Sequence, residues 1–235
     1  MSVLEVFDDD ELLATQASEA IGEALVARVG QAGLAHLAVS GGGTPERTLE
    51  LLAGTPVLDA VELWFVDERC VGPEDPDSNY AMVARTLLAG SAIAPDRVHR
   101  MRGELGPQAG AEEYAQELAA TFGERPAIDV AMLGIGPDGH TASLFPHAPT
   151  LHQPATVLAV EDSPKPPPER ITLSLGVLRD VGLGVLLVTG ESKAPALARA
   201  LGDPSDGCPA SLLDSEHLVV FADEAAAAAI DGEKP

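Results

Sequence analysis

Short apolar runs rich in Val, Leu, Ile and Phe recur along the chain, and between them apolar positions return every three or four residues. The first pattern reads as buried strand and the second as amphipathic helix. The strands expected are Val3–Phe7, His36–Ser40, Val61–Asp67, Ile128–Gly134, Thr156–Val160, Gly184–Thr189 and Leu218–Phe221. Among the helices, Asp8 or Asp9 caps one running to about Val29, and Pro45 fits the first turn of the next. Ser78, Ala109 and Ser192 stand near the starts of three more, and the alanine run Ala225–Ala229 reads as a terminal helix. Only "EDSPKPPPER", Glu161 to Arg170, reads as a stiff loop without regular structure.

Strands that alternate with helices give an α/β fold with a mostly parallel central sheet flanked by helices. No internal repeat and no shift of composition divides the chain, so residues 1–235 are expected to form a single domain.

In such a sheet, ligands settle beyond the carboxyl ends of the strands, so the residues just past each run are the candidates for chemistry. After His36–Ser40 comes "SGGGTP", a glycine-rich turn into a helix that presents N–H groups to an anion from Ser40, Gly41, Gly42, Gly43 and Thr44. It matches neither the dinucleotide pattern nor the P-loop, and a tight turn without a ligand is the plain alternative. After Val61–Asp67 stand Asp67, Glu68 and Arg69, expected over the same edge of the sheet. Arg69 can fork two donors onto a phosphate or carboxylate, while an ordinary charged loop would pair the same residues internally. Asn79 reads as a helix cap.

The third strand end, "LGIGPDGHTASLFP", carries His140, suited to general base work near neutral pH, with Asp138 two residues earlier to orient the ring. A turn in which His140 only bonds backbone is the alternative. After the fourth run, "VTGESKA" places Lys193 in the first turn of a helix, where its charge is unfavourable unless an anion sits beside it.

Charge gives the basic residues weight. The chain holds 14 Lys and Arg against 37 Asp and Glu, a net charge of -23, which repels nucleic acid and anionic membranes at long range. A phosphorylated ligand would be repelled too, unless a few cations and N–H groups reverse the field locally. Cys70 and Cys208 make neither a metal pair nor a disulfide framework. No apolar run reaches membrane-span length, and the start "MSVLEVFDDDELL" lacks a signal-peptide layout, so a cytoplasmic protein is expected. No cluster of His, Asp or Glu has metal-ligand spacing, and no metal or cofactor is expected.

Taken together, "AVSGGGTP", "WFVDER", "DSNY", "LGIGPDGHTASLFP", "RITLSLGVL" and "VTGESKA" resemble the 6-phosphogluconolactonase family over nearly the whole chain. The resemblance implies the modified Rossmann-like, sugar-phosphate isomerase-like fold shared with glucosamine-6-phosphate deaminases. It implies cofactor-free hydrolysis of 6-phosphoglucono-δ-lactone in the oxidative pentose phosphate pathway. It also implies His140 as base, the glycine loop, Arg69 and Lys193 about phosphate and lactone, and Arg170, which opens "RITL", as a further candidate for the anion. Deaminases resemble the turn through Gly139-His140 but continue with an acidic residue where this chain reads "TASLFP", so hydrolysis is preferred. Asp67 could serve the proton shuttle of an isomerase, or contact the substrate. A sugar-phosphate sensor without turnover is a third reading. Oligomeric state, monomer or dimer, is left open.

Overall fold

The computed structural model describes residues 3–213 and 216–230; the outermost residues of the expected domain, 1–2 and 231–235, lie outside them. The strands are β1 (Val3–Phe7), β2 (Ala35–Val39), β3 (Val61–Phe65), β4 (Asp67–Arg69), β5 (Val130–Gly134), β6 (Val157–Val160), β7 (Arg170–Leu173), β8 (Leu183–Val188) and β9 (Leu218–Asp223). The helices are α1 (Asp10–Ala32), α2 (Gly43–Leu52), α3 (Asn79–Thr86), α4 (Pro107–Phe122), α5 (Leu175–Arg179), α6 (Ala194–Ala200) and α7 (Glu224–Ala227). Six strands form one sheet in the order β1-β9-β8-β5-β2-β3, with every pairing parallel. The expected α/β architecture is thus present.

Helix signals account for most boundaries. Asp9 is the cap of α1, accepting the Leu12 N–H at 2.8 Å, and Leu13, Ala17, Ile21 and Leu25 form its buried stripe at four-residue spacing. The helix passes the expected end at Val29 and stops at Gly33, whose N–H returns to the Val29 carbonyl. Pro45 falls in the first turn of α2, as expected. Ser78 caps α3, whereas Asn79 is its first helical residue and not a cap. A 3-10 turn, Glu191–Lys193, precedes α6, so Lys193 stands just before that helix and not within its first turn.

The expected strand Val61–Asp67 is divided. Val66 still donates its N–H to the Val39 carbonyl of β2 at 3.1 Å but gives its own carbonyl to the Leu173 N–H at 2.8 Å, and β4 then joins a small antiparallel sheet in the order β4-β7-β6. The partners at this point are all remote in sequence. Tyr114, fully buried on α4, accepts the Phe65 N–H at 2.8 Å and donates to the Phe65 carbonyl at 3.1 Å, which occupies the free side of the last β3 residue. The run that includes Thr156 belongs to this second sheet, and the end of the Pro-rich stretch becomes its middle strand, β7.

Chain direction across the main sheet reverses between β2 and β5: from β2 the chain moves outward to β3, then returns to build β5, β8 and β9 on the other side. Loops leaving β2 and β5 therefore part, and a crevice opens beyond their carboxyl ends.

Candidate active site

That crevice is a cavity of about 300 Å³, lined by the glycine turn after β2, the turn after β5, Asp67 and Arg69 of β4, and Lys193. Four strand ends that the sequence singled out separately thus meet at one place. Arg170 and Lys165 join them from the Pro-rich stretch.

The glycines of the first turn are there for different reasons. A side chain on Gly41 would collide with the amide of Asn79. Gly42, the cap of α2, has φ 109°, a backbone conformation that favours glycine. Nothing lies within 4 Å of where a Gly43 side chain would begin, and Gly43 lines the cavity. The leading N–H groups of α2 have no acceptor inside the helix and form a ready anion seat. Ser40 lines the cavity too, while its hydroxyl donates to the Met132 carbonyl at 2.9 Å and ties β2 to β5. Thr44 Oγ1 lies 2.7 Å from Thr189 Oγ1, joining the start of α2 to the end of β8.

On the next wall, the three charged residues part ways. Asp67 is buried and accepts from Ser143 Oγ at 2.7 Å and from Asn79 Nδ2 at 3.2 Å, and it lines the cavity. Glu68 does not reach the cavity. It turns inward to the start of α3, accepting the N–H groups of Asn79 and Tyr80 at 2.7 and 2.8 Å and the Ser78 hydroxyl at 3.0 Å. Burial pushes its carboxyl upward against the opposing pull of these donors. Arg69 Nη1 donates to the Asp77 carbonyl at 2.6 Å, while its buried Nε has no partner among the described residues.

Arg170 faces Arg69 in register across β4 and β7. Its guanidinium is buried and donates to the carbonyls of Lys165, Pro166 and Pro167 at 3.1 to 3.3 Å. Lys193 Nζ donates to the Ile135 carbonyl at 2.7 Å, and burial, then the charge of Lys165, lowers its pKa. Arg69, Arg170 and Lys193 have no carboxylate ion pair among the described residues. By contrast, Arg28, Arg47, Arg85, Arg97, Arg100, Arg102 and Arg125 each have at least one; Arg179 and Arg199 also lack one among the described residues, but both are exposed and lie outside the cavity.

His140 stands at the head of the β5 turn with Nδ1 2.5 Å from Asp138 Oδ1, and its ring packs so closely on Gly136 that a side chain there would strike both residues. A carboxylate only accepts, so Nδ1 carries the proton and Nε2 keeps its lone pair. Burial holds the imidazole below its ordinary pKa, against the upward pull of Asp138. Burial alone would raise Asp138, but the hydrogen bond and charge of His140, joined by Lys165, hold it below the ordinary carboxyl range.

The sequence reading missed Lys165, assigned only to a stiff loop. Its Nζ lies 3.2 Å from Asp138 Oδ1 and 3.4 Å from His140 Nδ1. An ammonium has no acceptor to offer, so its approach to Nδ1–H is a charge contact that disfavours the imidazolium. The scarcity of lysine in so acidic a chain was the available signal. Ala142, also on the cavity wall, has φ 49°, a strained conformation for a residue with a side chain. Among the described residues, no group of three or more His, Cys, Asp or Glu is placed to hold a metal ion.

The fold and site thus define an α/β protein with a Rossmann-like sheet, a crevice at its switch point lined by Arg69, Arg170, Lys165 and Lys193, and a carboxylate-bound histidine in that crevice. The chain belongs to the family described as glucosamine-6-phosphate isomerases/6-phosphogluconolactonase, which matches residues 8–221. It is 40% identical over 214 residues to a 6-phosphogluconolactonase of Streptomyces coelicolor, covering 84% of this chain and 82% of that one. A 6-phosphogluconolactonase of Mycobacterium tuberculosis is 36% identical over 241 residues, covering 97% and 98%. Among solved structures, a 6-phosphogluconolactonase of Shewanella baltica superposes with a TM-score of 0.84 at 29% identity, over 95% of this chain and 98% of its own.

Proposed function

We propose that this protein hydrolyses 6-phosphoglucono-δ-lactone to 6-phosphogluconate, the lactonase step of the oxidative pentose phosphate pathway. The observation that carries the reading is the contrast among cations. In a protein of charge -23, the cavity holds Arg69, Arg170 and Lys193 without carboxylate pairs, beside a histidine whose Nε2 is available as a base. A phosphorylated lactone supplies both what the cations lack and what the base can act on.

Neutral His140 takes a proton from a water as its oxygen bonds to C1. The carbonyl electron pair becomes an oxyanion, which Arg69 or the loop N–H groups receive; one preorganised donor of this kind contributes roughly 3 to 4 kcal/mol. The pair then returns, the bond from C1 to the ring oxygen breaks, and the imidazolium gives its proton to that oxygen. Asp138 favours the charged intermediate, and Lys165 restores the neutral base between turnovers. The phosphate rests on the N–H groups of Gly41 to Thr44 and on Lys193. Arg170, whose donors are engaged with carbonyls, supports the anion mainly by charge.

Asp67 in the same cavity gives some support to an isomerase, which needs a carboxylate shuttle. Against that reading, Asp67 is bound to Ser143, and no acidic residue comes after His140 in "TASLFP". A binding sensor would have no need of the bond between Asp138 and His140. The proposal includes a single domain over residues 1–235, a cytoplasmic setting and a small-molecule partner, with neither nucleic acid nor membrane. Proton release from freshly generated lactone tests it, after subtraction of spontaneous ring opening. Release well above that background is expected, and release at the background rate would refute the assignment.

A further inference from the structure

The ladder between β8 and β9 ends at the pair Val188 and Ala222. One step further, a side chain takes over from the backbone. Asp223, the last residue of β9, accepts the Gly190 N–H on both carboxylate oxygens, at 3.0 and 2.9 Å, and accepts the Ala226 N–H at 2.7 Å. It is 7% exposed, has no cation partner among the described residues, and does not line the cavity. Capping the short α7 requires only one acceptor. The carboxylate's remaining capacity is directed across to the end of β8.

What it holds there leads to the cavity. Gly190 (φ 87°) accepts the Lys193 N–H at 3.0 Å, closing the turn from which Lys193 reaches the Ile135 carbonyl. Thr189, just before it, bonds the hydroxyl of Thr44 at the anion seat. A buried carboxylate is stable only with its donors in place, so Asp223 and the Gly190 turn fix one another.

We infer that Asp223 is a positioning residue for the phosphate end of the site, acting through the Gly190 turn to set Lys193 and Thr189 relative to the glycine loop. The inference rests on the reading of Lys193 as a phosphate ligand. Besides capping α7, the Asp223 carboxylate reaches only that end of the site, and among the described residues it has no hydrogen bond to His140 or Asp138.

The test compares phosphorylated and unphosphorylated ligands in Asp223→Ala, Asp223→Asn and Lys193→Ala proteins. Affinity is measured for 6-phosphogluconate and gluconate, and KM for the two lactones. Asp223→Ala should weaken the phosphorylated ligand about tenfold, equivalent to roughly 1.4 kcal/mol, and change the unphosphorylated one by less than about twofold. Asp223→Asn should fall between, because an amide oxygen still accepts the Gly190 N–H, and it carries the test if the alanine variant does not fold. Equal losses on both ligands, or none on either, in the Asp223 variants while Lys193→Ala is selective would overturn the inference. A non-selective Lys193→Ala would instead overturn the phosphate reading beneath it.

Discussion

Two histidines of this protein bond carboxylates at nearly the same distance, and their pKa values are driven in opposite directions. His140 offers Nδ1 to Asp138 at 2.5 Å. His99 offers Nδ1 to Glu117 and Nε2 to Glu62, both at 2.6 Å, and its ring stacks on Trp64 with centroids 3.8 Å apart. Two carboxylates on two ring nitrogens call for two N–H donors, which favours the imidazolium form of His99. Burial alone would lower its pKa, yet Glu117 and Glu62 raise it on balance. One carboxylate on one nitrogen leaves His140 below its ordinary pKa, which favours the neutral ring, because burial and Lys165 outweigh Asp138 and Asp67. The difference separates their uses. A neutral ring with a spare nitrogen can take a proton from water, whereas a doubly engaged imidazolium is a tie between β3, α4 and the segment that carries it.

The comparison can be broken most severely at His140. His140→Ala should lower kcat by about two to four orders of magnitude, the usual span of general-base loss, while 6-phosphogluconate still binds and the protein stays folded. Measurement of kcat and affinity together checks this, and full activity would remove His140 from the mechanism. Next in size is the phosphate end. Lys193→Ala should raise KM for the phosphorylated lactone by roughly one to two decades, from the loss of a charge-assisted bond of about 1.5 to 3 kcal/mol. Unphosphorylated glucono-δ-lactone should be little affected, whereas Arg69→Ala should harm both substrates. Equal losses on both lactones in Lys193→Ala would make that lysine part of the scaffold.

The smallest effect is expected at His99, and on stability rather than rate. A raised folded pKa gives stabilisation that is fully present below the unfolded imidazole value, near pH ~6.5, and is lost as pH rises through the folded value. His99→Gln should therefore cost about 1.5 to 3 kcal/mol in slightly acidic buffer. The gap to the unaltered protein should narrow with rising pH, with kcat almost unchanged. Denaturant midpoints across pH check this, and Trp64, the chain's one tryptophan, reports the same titration by fluorescence. A gap that does not vary with pH would show that His99 contributes packing and not charge.

How far the sequence revealed these two regions depends on how local their signals are. The glycine loop, Arg69, the Asp138 and His140 turn and Lys193 each come after an apolar run that can be recognised on its own, and the sheet brings their ends together. The division of Val61–Asp67 was not legible, because it lies in the backbone bonds of Val66 to Val39 and Leu173, both remote in sequence and marked by no side chain. The second sheet was missed for the same reason, since β4 and β7 are very short and defined only by their distant partners, β7 for β4, and β4 with β6 for β7. Ser40, expected at the site because it borders the glycines, does line the cavity, but the bond of its hydroxyl to Met132 on a neighbouring strand could not be read from the sequence. The His99 cluster left no trace either. Its partners Glu62 and Glu117 lie 37 and 18 residues away, with no motif joining them.

The central claim, that His140 is the neutral base of a lactone hydrolase, is tested most directly by tracking its imidazole by NMR as pH is varied in the free protein. The His140→Ala spectrum assigns the signal, and kcat/KM is recorded in the same buffers. The account predicts that His140 titrates below the ordinary imidazole value, and that activity falls as pH drops through that same midpoint. A midpoint at or above the ordinary value, or activity that persists once His140 is protonated, would contradict it.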